Sequence, residues 1–128
     1  MAIFEYLPEH IKKTVLEHIS QEEKVKMCFL AGSSPVSDKD YVVITSKRVI
    51  VMDERTIGYL GKSYVNIKED VPIDQISSIE VYKTLSNRIL GQSSMGLQVD
   101  RYKYLIKNGG RNDINKAAEL IRNLGGLS

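Results

Sequence analysis

Gly61-Lys62-Ser63 comes closest to a known chemistry, because it reproduces the end of a phosphate-binding loop. The full pattern needs a glycine five residues before Gly61, where this chain has Thr56, and a helix afterwards, where it has the β-like SYVNIK. Without that helix no row of backbone N–H groups converges on a phosphate, so the stretch reads as a turn. The only histidines, His10 and His18, lie eight residues apart on one amphipathic segment, and no HExxH spacing exists. A zinc site takes about four ligands, or three plus water; the histidines read as surface groups and no metal site is assigned. Cys28 sits among apolar residues, the setting of a small buried hydrophobe rather than of a reactive thiolate. Carboxylates at Glu22-Glu23, Asp38 with Asp40, and Glu69-Asp70 fall in polar connections or strand ends, and they read as solvated surface. There is no GxSxG and no evident nucleophile–histidine pair. The residues therefore assign no catalytic group and no cofactor, and the expectation is a chain that is not an enzyme.

Binding chemistry has more to work with. From Lys83 to Asn112 there are six basic residues (Lys83, Arg88, Arg101, Lys103, Lys107, Arg111) against the single acid Asp100. That segment is +5 in a chain of net charge +2, which leaves the remainder at −3. Arg101, Lys103 and Lys107 alternate with Tyr102, Tyr104 and Ile106, so period 2 puts the charges on one strand face and the tyrosines inward. Arg111 follows Gly109-Gly110 just before a helix, whose N-terminal N–H groups favour anions. These four cations are the candidate contacts for anionic lipid or nucleic acid. A second candidate surface is apolar. Ile89, Leu90 and Met95 stand in an otherwise polar connecting stretch, Leu85 to Met95, and such residues either mark a protein contact or plug the end of a barrel.

Several elements position these groups. A helix is expected from about Pro8, which suits a first helical position, with Leu7, Ile11, Val15, Leu16 and Ile19 on one face. The period then changes to 2. Lys24 to Ala31 reads as a strand apolar on both faces, hence covered on both sides, one by a sheet core and one by the first helix. YVVITSKRVIVMD (Tyr41 to Asp53) reads as two strands about a turn at Ser46-Lys47. Further strands are expected near Tyr64 to Lys68, Ser77 to Lys83, Leu97 to Val99 and Tyr102 to Lys107. A last helix begins with Asn112 as its cap and stops at Gly125, with Ile114, Ala117, Ala118, Ile121 and Leu124 as its apolar stripe. Short strands followed by one amphipathic helix indicate an antiparallel barrel or sandwich with a helix across its end, not a nucleotide-binding βαβ sheet.

With 128 residues, 42% hydrophobic and 27% charged, the chain is one domain's worth of soluble globular protein. One cysteine permits no internal disulfide, the start MAIFEYLPEH lacks the features of a signal peptide, and no apolar run has the length of a membrane span. A cytoplasmic location is expected.

Two of these segments resemble a known family. ITSKRVI (Ile44 to Ile50) is similar to the "LTNKRLI"-type strand junction, and VPIDQISSIEV (Val71 to Val81) to the "IPLxxIxSVEV"-type segment, of bacterial pleckstrin-homology (PH) domains of the YokE-like group. The terminal NDINKAAELIRNL and the helix before the first strand fit as well. The resemblance implies a mainly β (α+β) fold, a partly open barrel of two antiparallel sheets capped by a C-terminal α-helix, with an amphipathic N-terminal helix. On that frame residues 1–23 form a helical extension packed on the barrel and residues 24–126 the PH-like domain. It also implies no catalytic activity and a tendency to self-associate. Eukaryotic PH domains bind phosphoinositides through basic residues clustered in and beside the first strand–strand loop. Here that loop offers Lys39 between Asp38 and Asp40, with Lys24 and Lys26 earlier, so no phosphoinositide pocket is expected. The favoured partner is a protein or a second copy of the chain, ahead of a membrane surface or nucleic acid.

Overall fold

The computed structural model describes residues 4–32, 39–57 and 62–127. A 3-10 turn at Phe4–Tyr6 leads into helix α1 (Glu9–His18), for which Pro8 is the capping residue rather than the first helical one. Strands β1 (Val25–Ala31), β2 (Asp40–Thr45), β3 (Arg48–Ile57) and β4 (Lys62–Pro72) form an antiparallel sheet in the order β1-β2-β3-β4. A second 3-10 turn, Ile73–Gln75, leads to β5 (Ser78–Tyr82), helix α2 (Leu85–Leu90), β6 (Gln92–Val99) and β7 (Tyr102–Gly110), with sheet order β5-β6-β7. Helix α3 (Arg111–Gly125) ends the chain's regular structure.

The first sheet is apolar on both faces, and period 2 divides its side chains between two cores. Met27, Phe29, Val42, Ile44, Val49 and Val51 face the second sheet, where Met95, Leu97 and Ile106 meet them and the α3 stripe of Ile114, Ala117, Ala118 and Ile121 closes the end. Cys28, Val43, Ile50 and Met52 point the other way, onto Leu7, Ile11 and Val15 of the N-terminal segment. The doubly covered β1 is as the sequence indicates. Burying Ile11 and Val15 completely is worth roughly 1.5–3 kcal/mol each. Leu16 departs from the expected buried face: one residue beyond Val15, it is turned about 100° around the helix and is 60% exposed.

The sheets meet but do not form a closed barrel. Where β1 ends, the Gly32 amide donates to the Lys107 carbonyl of β7 at 2.7 Å. Gly109 allows β7 to pass close to α3, since a Cβ there would lie 2.8 Å from Ile114 Cδ1. Helix α3 starts one residue after Gly110, its capping position, so Asn112 lies in the first turn instead of capping it. Its left-handed terminator is Gly126, at φ 67, and not Gly125.

Candidate functional site

Helix α2 lies within the stretch Leu85 to Met95, where the sequence pattern indicates only a polar connection. Thr84 and Asn87 make a capping box: the Asn87 amide donates to Thr84 Oγ1 and the Thr84 amide to Asn87 Oδ1, each at 3.2 Å. Gly91 in the left-handed region ends the helix. Asn87 is itself buried and ties the helix to two strands, β6 and β7. Its Oδ1 accepts from Ser94 Oγ at 2.8 Å, and its Nδ2 donates to Asn108 Oδ1 at 2.7 Å. Asn108 in turn donates to the Gly32 carbonyl at 2.7 Å through Nδ2 and to Ser94 Oγ at 3.1 Å through its amide. Asn108 takes φ 61, a conformation asparagine tolerates better than most residues. Every polar atom named here is paired, and such a satisfied network holds its elements in one arrangement.

That mount carries an apolar outer surface. Leu85 is 77% exposed, Ile89 74% and Leu90 47%. Leu85 and Ile89 are four residues apart and therefore share a helix face. Met95, grouped with Ile89 and Leu90 in the sequence reading, is 0% exposed. It faces the core from β6, directly across from Ile106 of β7, so it is removed from the candidate contact surface.

The four basic candidates are exposed, but they do not converge. Arg101 lies in the turn before β7 and Arg111 is the first residue of α3 beyond its far end. The nine residues of β7 separate them, about 30 Å at ~3.3 Å per residue. Lys103 is already paired with Glu80 Oε2 at 3.1 Å. The Arg111 amide donates to the Gly91 carbonyl, and the Asp113 carboxylate lies beside Gly110, placing the protein's own anion at the positive end of α3. The tyrosines divide: Tyr104 packs on the core, whereas Tyr102 is 58% exposed instead of pointing inward. It sits at the turn end of the strand, past the edge of the core, edge-on to Tyr104.

Carboxylates and histidines that read as solvated surface form a second network, which fastens α1 and the chain after it to the first sheet. Glu23 is buried, and Arg48 grips it with Nε at 2.9 Å and Nη2 at 3.0 Å. Thr45 Oγ1 also donates to the Glu23 carboxylate and accepts from the Arg48 amide at 3.0 Å. Arg48 Nη1 and His18 Nε2 both reach Asp70 Oδ2, at 3.2 and 2.6 Å. Farther along the helix His10 meets Glu54 at 3.0 Å. Asp40 is likewise buried and paired, with Lys68 at 2.9 Å. Burial alone would raise the Glu23 pKa, but the hydrogen bonds from Thr45 and Arg48 outweigh it and hold the group below its ordinary value. Thr45 and Arg48 belong to the ITSKRVI stretch, so that motif builds the turn and its anchor. Burial pushes the Cys28 thiol up, opposite to what a nucleophile needs. Among the described residues no group of three or more His, Cys, Asp or Glu side chains could hold a metal, and no helix is long and apolar enough to cross a membrane. Gly61 of the GKS stretch and Asp38 lie outside the described residues, while Lys62 and Ser63 begin β4 and not a helix.

Two antiparallel sheets of four and three strands, closed at one end by a C-terminal helix, define the fold of a pleckstrin-homology domain. A DUF1696-family protein with a pleckstrin-homology domain from Shewanella loihica matches it with a TM-score of 0.60 at 17% identity, over 90% of each chain. The pleckstrin homology domain from Shewanella amazonensis gives a TM-score of 0.58 at 18% identity, over 93% of this chain and 90% of that one. No protein-family model matches the chain, and neither does any curated protein. At these identities the likeness is one of fold.

Proposed function

We propose that the chain is a non-catalytic binding or assembly module of the YokE-like bacterial PH type, acting in the cytoplasm through protein–protein contact or self-association. The observation that carries this is the outer surface of α2, where Leu85, Ile89 and Leu90 are exposed on a helix whose other side is locked by Asn87. Apolar side chains on a rigid mount lose little entropy on docking, and grouped exposure of this kind marks contact surfaces. The test is sedimentation of the wild-type chain and of a variant carrying Ile89→Asp with Leu90→Asp. The reading expects a wild-type mass above the monomer and a folded variant that has lost it. An unchanged mass would remove α2 from consideration.

Peripheral binding to anionic lipid or nucleic acid through Arg101, Lys103, Lys107 and Arg111 is the alternative. Charge asymmetry favours it. The spread of these cations along β7 and the Glu80–Lys103 pair count against a built site.

A further inference from the structure

Near the bond between Gly32 and Lys107 the two sheets leave a cavity of about 130 Å³ between them. Its floor is aliphatic: Ala31, Val42 and Val51 come from the first sheet and Ile106 from β7, and all four are buried. Lys107, exposed on β7, stands at its outer edge. One wall carries charge of both signs, Asp40 from β2 and Lys68 from β4.

Among the described residues two carboxylates are buried, and they are held differently. Glu23 takes two hydrogen bonds from Arg48, one from Thr45 and one from the Ser20 amide. A carboxylate has about four acceptor sites and an ammonium three donors, so Glu23 is filled. Among the described residues Asp40 takes one bond to its side chain, from Lys68 at 2.9 Å. That pair keeps spare capacity on both partners. Buried charge is costly unless it is paired and hydrogen-bonded. A few polar groups with bonds to spare, set beside an otherwise apolar space, are the pattern of a small-molecule site.

We propose that this cavity binds a free α-amino acid with a short aliphatic side chain. The tail fills the space between Val42, Val51 and Ile106. A cavity of about 150 Å³ holds benzene, and the side chain of valine or leucine is smaller than benzene. The ammonium meets Asp40, and the carboxylate meets Lys68 and Lys107. A plain amine would leave both lysines unmet, and a plain carboxylate would add a second anion beside Asp40. None of these residues belongs to α2, so the site is separate from the contact surface there.

Methyl NMR of the full chain titrated with leucine tests it. The expected result is saturable shifts of Val42, Val51 and Ile106, with NOE contacts from the leucine methyls to these residues. Two fragments dissect the head group: isocaproate lacks the ammonium and isoamylamine lacks the carboxylate. Each should bind at least about tenfold more weakly than leucine, the scale of one lost charged hydrogen bond. Lys107→Glu, at an exposed position, should weaken leucine by a similar factor. Ala31→Leu, which fills the floor, should abolish binding. Thermal melts check that both variants fold, and if Ala31→Leu does not, Lys107→Glu carries the test. Either fragment binding as tightly as leucine overturns the zwitterion, and an unchanged affinity in Lys107→Glu overturns the place given to the carboxylate. No saturable shift with leucine, valine or alanine, or NOE contacts outside the cavity, overturns the proposal.

Discussion

Glu23 is buried with its carboxylate gripped by Arg48 and Thr45, so protonating it weakens the fold. The folded-state pKa lies below the ordinary value of 4.5. The charge therefore contributes its full stability above that value, and the contribution is lost as pH falls through the depressed one. Urea unfolding followed from neutral pH down to about pH 3 should show a steep loss for wild type and a shallower one for Glu23→Gln, which has no carboxylate to titrate there. Parallel curves would sink this account. The pairings of Glu23, Asp70 and His18 were not legible in the sequence. Arg48 lies 25 residues from Glu23 and 22 from Asp70, and His18 lies 52 from Asp70, so no local period records them. A lone carboxylate in a polar stretch looks solvated until the fold supplies its partner.

At the scale of elements, legibility followed periodicity. The two apolar faces of β1 announced both cores, and the Ser46-Lys47 turn fell between β2 and β3 as read. Helix α2 escaped because six residues give less than two turns, too few to set an apolar stripe apart from a polar loop. Its local signals were present: Thr84 with Asn87 three residues on, and Gly91 after Leu90. Asparagine replaced the usual Glu or Gln of a capping box, which hid the pattern. Asn87→Ala strands the partners on Thr84, Ser94 and Asn108, and should cost about 2–3 kcal/mol by urea unfolding. Hydrogen exchange through Leu85–Leu90 should rise with it. A loss below about 0.5 kcal/mol would mean that the network does not hold the helix.

For the whole molecule, residues 4–23 act as more than an appendage. Leu7, Ile11 and Val15 are the cover over Cys28, Val43, Ile50 and Met52, and Glu23 plugs the adjoining turn. Removing this segment forfeits roughly 1.5–3 kcal/mol for each large apolar side chain withdrawn, against a net stability of about 5–15 kcal/mol for a typical domain. A chain starting at Lys24 is expected to be insoluble, or to bind a hydrophobic dye and melt without cooperativity. A soluble, cooperatively melting product would show instead that residues 24–128 fold as an independent domain. The clasp between Gly32 and Asn108 spans 76 residues, and it orders events in time. On a ribosome adding about 5–20 residues per second, the first sheet is synthesised through Pro72 while the α3 residue Ile121 is still ~2–10 s away. During that interval the second sheet that covers Phe29, Ile44 and Val49 is still being completed, strand by strand from Ser78 to Gly110, so the nascent chain carries its inner apolar surface uncovered for part of its synthesis.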